Sequence, residues 1–161
     1  MASLLIRGGR VIDPSQGLDR VTDLVIENGR IVGYDGGGHH DATVIDATDK
    51  IVAPGLIDMH VHLREPGREE DETIATGAAA ALAGGFTSIA CIPNTEPPID
   101  TQASVEFVQH QAALADQANV FVVACVSKNR EGKELAEFAQ LAKAGAVAFT
   151  DDGSPVFDPE L

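Results

Sequence analysis

The sequence predicts an α/β protein in which a small antiparallel sheet precedes parallel strand–helix units. Residues 2–54 carry short apolar runs at close spacing, separated by Gly, Asn and Pro turns, which is the pattern of an antiparallel sheet. From residue 55 onward, apolar runs of strand length alternate with runs of helical periodicity, the pattern of βαβ units. The chemically distinctive residues of that second part fall at or just past the C-terminal ends of the predicted strands, the face on which parallel α/β proteins build their sites. Two domains are expected, 1–54 and 55–161.

In the first part, Leu4-Leu5-Ile6-Arg7 is a strand ending at Gly8-Gly9, and Arg10-Val11-Ile12-Asp13 one ending at Pro14. Thr22-Asp23-Leu24-Val25-Ile26-Glu27 meets Asn28-Gly29. Both residues tolerate the positive φ that a two-residue hairpin turn demands. Arg30-Ile31-Val32-Gly33-Tyr34 is then the return strand, and Thr43-Val44-Ile45-Asp46 a further short one. Gly36-Gly37-Gly38-His39-His40 has a superficially metal-binding look, but its glycines make it a solvated turn.

In the second part, strands are predicted at 56–63, 87–92, 120–126 and 146–150. Leu56, Ile57, Met59 and Val61 make the first of these read as buried. Helices are predicted at 72–83, stopped by Gly84-Gly85, at 101–116, and at 132–143, closed by Gly145. The last has Leu135, Phe138, Leu141 and Ala142 recurring along one face.

With 44% hydrophobic residues among 161, the chain has the composition of a packed globular protein. Its 25 acidic against 11 basic residues give a net charge of −14. That excludes nucleic acid and anionic membrane surfaces as partners, since both require a basic footprint. An anionic substrate would have to be held by local cations. Cys91 and Cys125 both lie in apolar strand-like runs, as buried free thiols in a reducing compartment would. Met1 to Arg7 is too short in its apolar part for a signal peptide, and no run nears the ~18 apolar residues of a membrane span. A soluble cytoplasmic protein is expected.

The most informative stretch is Gly55-Leu56-Ile57-Asp58-Met59-His60-Val61-His62-Leu63-Arg64-Glu65-Pro66-Gly67. In a strand, residues i and i+2 share a face, about 6–7 Å apart. His60 and His62 can therefore converge on one metal ion. Arg64 falls on the same face one step further, and a cation beside a metal site suits an anionic substrate. Asp58 shares that face deeper in the strand, where it would orient a ligand through hydrogen bonds or be satisfied by backbone donors. Asp151 and Asp152 follow the fourth predicted strand. On spacing alone they are equivalent candidates for a third ligand, and Asp-Gly is also a common turn dipeptide.

Asp58-x-His60-x-His62 resembles the signature of the amidohydrolase superfamily, and His60-Val61-His62-Leu63-Arg64-Glu65-Pro66-Gly67 resembles dihydroorotases. Ile92-Pro93-Asn94-Thr95 and Ala148-Phe149-Thr150-Asp151-Asp152-Gly153 agree with that family as well. The resemblance implies about four units of an amidohydrolase (β/α) barrel, preceded by part of a β-sandwich. A complete barrel takes about 250 residues, so only the front of one is expected here, and the loop-like end at Pro159-Glu160-Leu161 reads as a cut. The implied activity is the reversible cyclisation of N-carbamoyl-L-aspartate to dihydroorotate.

The implied cofactor is Zn2+, one or two ions, bound by His60, His62 and Asp152. No lysine stands at the end of the fourth strand, so the resemblance is to the branch in which an aspartate replaces a carboxylated lysine. His62, Arg64 and Asn94 would bind substrate, Arg64 through a bidentate fork to its carboxylate. Allantoinase- and hydantoinase-type relatives share His-x-His but not this arginine. The family's later histidine ligands and its general acid/base aspartate lie beyond this chain, so the chain by itself is expected to be inactive. A homo-oligomer or aspartate carbamoyltransferase is the implied partner. The competing reading is a non-catalytic structural piece, which has no physical reason to retain His60, His62, Arg64 and Asp152 together. Lys128, Asn129 and Arg130 follow the third strand with no role decided, and His110 is expected at the surface.

Overall fold

The computed structural model describes residues 3–35, 37 and 41–161. The molecule is α/β, and the chain forms two compact units, Met1–Pro54 and Gly55–Leu161.

The first unit is a five-stranded sheet of β1 (Ser3–Asp13), β2 (Leu18–Glu27), β3 (Arg30–Gly33), β4 (Thr43–Asp46) and β5 (Ile51–Val52), with β1 at its centre. β1 and β2 are antiparallel, joined by a tight turn in which the Asp13 carboxylate accepts from the Ser15 amide. β2 and β3 form the expected hairpin, with Asn28 and Gly29 both at positive φ. Two expectations are corrected. The sheet is mixed and not antiparallel throughout, because β4 and β5 both pair parallel to β1. And β1 does not stop at Gly8-Gly9. It passes through them with a shift of register between Ile6 and Gly9. Gly9 is needed there: a Cβ would lie 2.6 Å from the Val52 side chain. Leu5, Val11, Leu24, Val25 and Ala47 are buried.

The second unit is a parallel sheet in the order β6 (Leu56–Val61), β7 (Phe86–Cys91), β8 (Asn119–Ala124) and β9 (Ala146–Phe149). Helices α1 (Ile74–Ala83), α2 (Gln102–Ala115) and α3 (Phe138–Ala144) make the connections. α1 and α2 start at capping boxes, Thr73 with Thr76 and Thr101 with Ser104, which satisfy backbone donors the helix leaves free. Ile74 and Ala78 of α1, Val105 and Val108 of α2, and Leu141 of α3 pack on Ile89, Cys91, Val122 and Ala124 of the sheet. Burying each of the larger side chains contributes about 1.5–3 kcal/mol.

Two further expectations change here. The helix predicted from 132 begins only at Phe138. Residues 134–136 instead pair back on 126–128, with Lys128 N–H donating to Glu134 O and Ala136 N–H to Val126 O, so the donors a helix would use are taken. β6 is not a buried strand: Leu56, Ile57 and Met59 are 55%, 66% and 79% exposed, because among the described residues it pairs on one side only, with β7. Among the described residues, no helix is long and apolar enough to cross a membrane.

Candidate metal centre

The loops beyond the C-terminal ends of β6, β7 and β9 build the site. β6 loses its regular pairing with β7 between Asp58 and Val61, and the Asp58 carboxylate accepts from the His60 amide at 3.0 Å. Asp58 thus shapes the backbone that presents His60. His62 lies just past the strand end, and the two imidazoles meet edge to face with centroids 5.3 Å apart. They come together through this local distortion, not through the even alternation expected of them.

Arg64 departs from expectation more sharply. It sits at φ +59, so the chain has already left the strand and Arg64 does not extend the face of the histidines. Its side chain is half-buried and has neither an ion pair nor a hydrogen bond among the described residues. The two carboxylates that could have neutralised it are used elsewhere: Glu65 accepts from the Ile74 amide at the start of α1, and Glu69 from the Gly67 amide.

The loop after β7 is fastened to the loop after β6. Ile92 N–H donates to Val61 O and Glu96 N–H to Pro66 O, each at 3.0 Å. Gly67, at φ +103, makes the approach possible, since a Cβ there would sit 1.9 Å from the Glu96 carbonyl oxygen. The result is that Asn94 Oδ1 lies 2.9 Å from His62 Nδ1. An amide oxygen only accepts, so this contact is a hydrogen bond in the tautomer of His62 that carries its proton on Nδ1, the one that leaves the Nε2 lone pair for another partner.

The loop after β9 supplies Asp152. Its Oδ1 lies 3.5 Å from His60 Nε2, and donor atoms of His60, His62 and Asp152 all fall within 4.8 Å of one another. Neighbouring ligands of a tetrahedral zinc with bonds of about 2.0–2.1 Å are ~3.4 Å apart; the 3.5 Å between His60 and Asp152 matches that spacing, and the other separations, within 4.8 Å, would close on binding an ion. The geometry also separates the two aspartates. Asp151 is buried and turned inward, accepting from the Val126 and Ser127 amides and the Ser127 hydroxyl, whereas Asp152 turns toward the histidines.

Of Lys128, Asn129, Arg130 and His110, Arg130 reaches this trio, at the Asp152 carbonyl oxygen. Lys128 pairs with Glu134, and Asn129 is held through its amide by Asp100. His110 is exposed on α2, and His39 and His40 lie outside the described residues. Arg130 donates to the carbonyls of Asp151 and Asp152. Sequence reasoning missed this contact and the Ser127–Asp151 pair. No local signal could have revealed them, because the partners are 21 to 24 positions apart. Cys91 and Cys125 are free and buried, and burial pushes their thiols up to about 11 and about 12.

Residues 49–158 match the family described as dihydro-orotase-like. The chain is 51% identical over 161 residues to a dihydroorotase of Syntrophus aciditrophicus, covering 98% of this chain and 38% of that protein. It is 51% identical to a dihydroorotase of Geobacter sulfurreducens, covering 99% and 38%. The chain therefore spans well under half the length of these curated relatives. Among solved structures, L-hydantoinase (dihydropyrimidinase) from Arthrobacter aurescens superposes with a TM-score of 0.73 at 24% identity, covering 92% of this chain and 32% of that one. D-hydantoinase (dihydropyrimidinase) from Thermus sp. gives 0.62 at 27% identity, covering 87% and 30%. Family match and relatives agree, and the chain belongs to the dihydro-orotase-like family.

Proposed function

We propose that this chain is the metal-holding portion of a dihydroorotase, which interconverts N-carbamoyl-L-aspartate and dihydroorotate, and that His60, His62 and Asp152 bind its Zn2+. The observation that carries the reading is the convergence of these three donor sets from the end of β6 and the loop after β9. A zinc ion bound there supplies Lewis acidity toward the reacting carbonyl and lowers the pKa of water. Asn94 keeps His62 in the tautomer whose Nε2 can ligate. Asp58 holds the backbone of His60. Arg64, with no carboxylate of its own, is the cation available to the substrate carboxylate, to which its planar fork is matched.

On this reading β6–β9 are the first strands of a (β/α) barrel, and the sheet of residues 3–52 is part of a β-sandwich. The further histidines and the general acid/base come from the rest of the enzyme, whose setting is cytoplasmic, as a homo-oligomer or with aspartate carbamoyltransferase. Relatives near 50% identity that are dihydroorotases, together with Arg64, favour this substrate over a hydantoin. Equilibrium dialysis against Zn2+, with dihydroorotate hydrolysis assayed on the same sample, tests the reading. Bound zinc that is weakened at least tenfold by Asp152→Asn is expected, with no turnover by this chain alone. Absence of zinc binding by the wild-type chain overturns it.

A further inference from the structure

Asp152 is placed by a loop with which it shares no sequence proximity. The segment after β8, residues 126–132, grips the segment after β9 at several points. Asp151 Oδ1 accepts from the Val126 amide at 2.9 Å and from the Ser127 amide at 3.1 Å. The Ser127 hydroxyl donates to Asp151 Oδ2 and accepts from the Gly132 amide at 2.8 Å. Ser127 is fully buried and Asp151 nearly so. From the other side Arg130, itself at φ +58, reaches back to the carbonyl oxygens of Asp151 and Asp152 through one guanidinium nitrogen. Its Nε is buried without an acceptor among the described residues, so Nη2 carries the whole contact.

We propose that Ser127, Asp151 and Arg130 are positioning residues that hold the Asp152 carboxylate at the His60–His62 pair. The inference rests on the metal-site reading above and extends it to residues that touch neither metal nor substrate. The physical reason is directional. Asp151 opens a turn closed by Ser154 N–H donating to its carbonyl oxygen at 2.8 Å, so a carboxylate locked inward at 151 fixes where that turn starts and the direction in which the side chain of 152 leaves it. Arg130 then limits rotation of the peptides on both sides of Asp152. Buried carboxylates accepting several N–H and O–H donors hold one geometry, because any alternative strands a buried polar group.

Zinc binding to the full chain is the test, compared among wild type, Asp152→Asn, Asp151→Ala, Asp151→Asn, Ser127→Ala and Val105→Ala, with thermal unfolding of each. The expected result is a zinc affinity at least tenfold weaker in Asp151→Ala and Ser127→Ala. Asp151→Asn should lose less, because its remaining carbonyl oxygen still accepts from the two amides. Val105→Ala empties part of the core far from these loops and should lower the melting temperature while leaving zinc affinity within twofold. If Asp151→Ala stays folded and binds zinc within twofold of wild type, the positioning role is wrong and the metal site stands. If Val105→Ala weakens zinc as much as Asp151→Ala does, the role is stability alone and the proposal falls. If the wild type binds no zinc, or Asp152→Asn binds as well as wild type, the site reading fails and the positioning role with it. Should Asp151→Ala not fold, Asp151→Asn and Ser127→Ala decide by the same twofold and tenfold criteria.

Discussion

The two units of the chain use their polar side chains in opposite ways. In Met1–Pro54 the carboxylates serve near neighbours or hairpin partners: Asp13 accepts from Ser15 and Gln16, Asp46 from Thr48, and Asp19 pairs with Arg10 on the antiparallel strand. In Gly55–Leu161, long-range bonds beyond the C-terminal ends of the strands run between loops. Asn94 meets His62 at a separation of 32 residues, Asp100 meets Asn129 at 29, and Asp151 meets Ser127 at 24. The first arrangement shapes turns. The second arranges one end of a parallel sheet, where several loops converge on His60, His62 and Asp152.

The largest effect should come from the core that supports those loops. Leu141 of α3 is fully buried against the sheet. Leu141→Ala is expected to cost about 2–5 kcal/mol, as large-to-small core changes do, read as a lower urea midpoint. A cost below about 1 kcal/mol would mean that α3 is not part of the supporting core, and the contrast between the units would weaken.

Gly67 and Gly29 give a paired test. Both sit at positive φ, but Gly29 has open space around it and Gly67 faces the Glu96 carbonyl. Gly29→Ala should cost only the backbone term of about 1–2 kcal/mol and leave zinc affinity unchanged. Gly67→Ala must push two loops apart and should cost more than that, with zinc binding weakened about tenfold, as when a ligand's support is lost. Equal behaviour of the two variants would contradict the claim that loop contact builds the site.

Asn94 sharpens the comparison within the site. Asn94→Ala removes the acceptor that holds the His62 proton on Nδ1, so nitrogen NMR should show a mixed tautomer and zinc affinity should fall roughly 10- to 100-fold. Asn94→Asp retains an acceptor and should keep both properties much nearer wild type. An unchanged tautomer in Asn94→Ala would remove Asn94 from this role.

What the sequence revealed follows the same division between near and far. The Asn28-Gly29 turn and the strand segments beside it were readable because every determinant lies close in sequence, but β2 starts at Leu18, four residues before the predicted Thr22. The strand–helix alternation after residue 55 was readable from apolar periodicity, and the His60/His62/Asp152 grouping from a resemblance. The parallel pairing of β4 and β5 with β1 was not, since nothing local distinguishes a strand that returns parallel from one that returns antiparallel. The start of α3 was misread because Leu135 has helical spacing from Phe138, Leu141 and Ala142, but residues 134–136 are captured by a backbone pairing with residues 126–128. Asp151 and Asp152 were equivalent on spacing, and what sets their side chains apart in the structure is Ser127, 24 positions away, which holds Asp151. Arg64 was misplaced because a positive φ at a non-glycine residue leaves no mark in the sequence.

The thiols should show a smaller effect. Burial raises Cys91 to about 11 and Cys125 to about 12, against an ordinary value of 9.0. A raised folded-state value means that the unfolded thiol ionises first. Any stabilisation is therefore complete below pH 9.0 and is lost as the pH rises toward 11 and 12. Alkylation at pH 8 should proceed only as fast as the protein opens. Rapid labelling of native protein would place one cysteine nearer the surface than the core that carries these loops allows.

The smallest effect is expected where a short, well-formed contact invites the opposite guess. Arg10 and Asp19 form two hydrogen bonds of 2.7 Å, better geometry than the 3.5 Å between His60 and Asp152. Yet both side chains are about half exposed, at 54% and 50%. Water and salt screen an exposed pair, and ordering two flexible side chains offsets much of the attraction. The hydrogen bond from Arg10 lowers the Asp19 pKa below 3.8, so whatever the pair contributes is present above that value and is lost as the pH falls through the lowered one. Asp19→Asn should consequently leave the melting temperature at pH 7 unchanged within error, at low and at high salt. Asp151→Asn, made on a carboxylate that is 6% exposed, should not be silent in the same measurement. What separates the two aspartates is the access of water, since the buried group has no solvent to replace a lost partner. A salt-sensitive loss in Asp19→Asn as large as that of Asp151→Asn would mean that distance alone sets the value of these contacts, and the distinction between turn-shaping and loop-arranging carboxylates would fail.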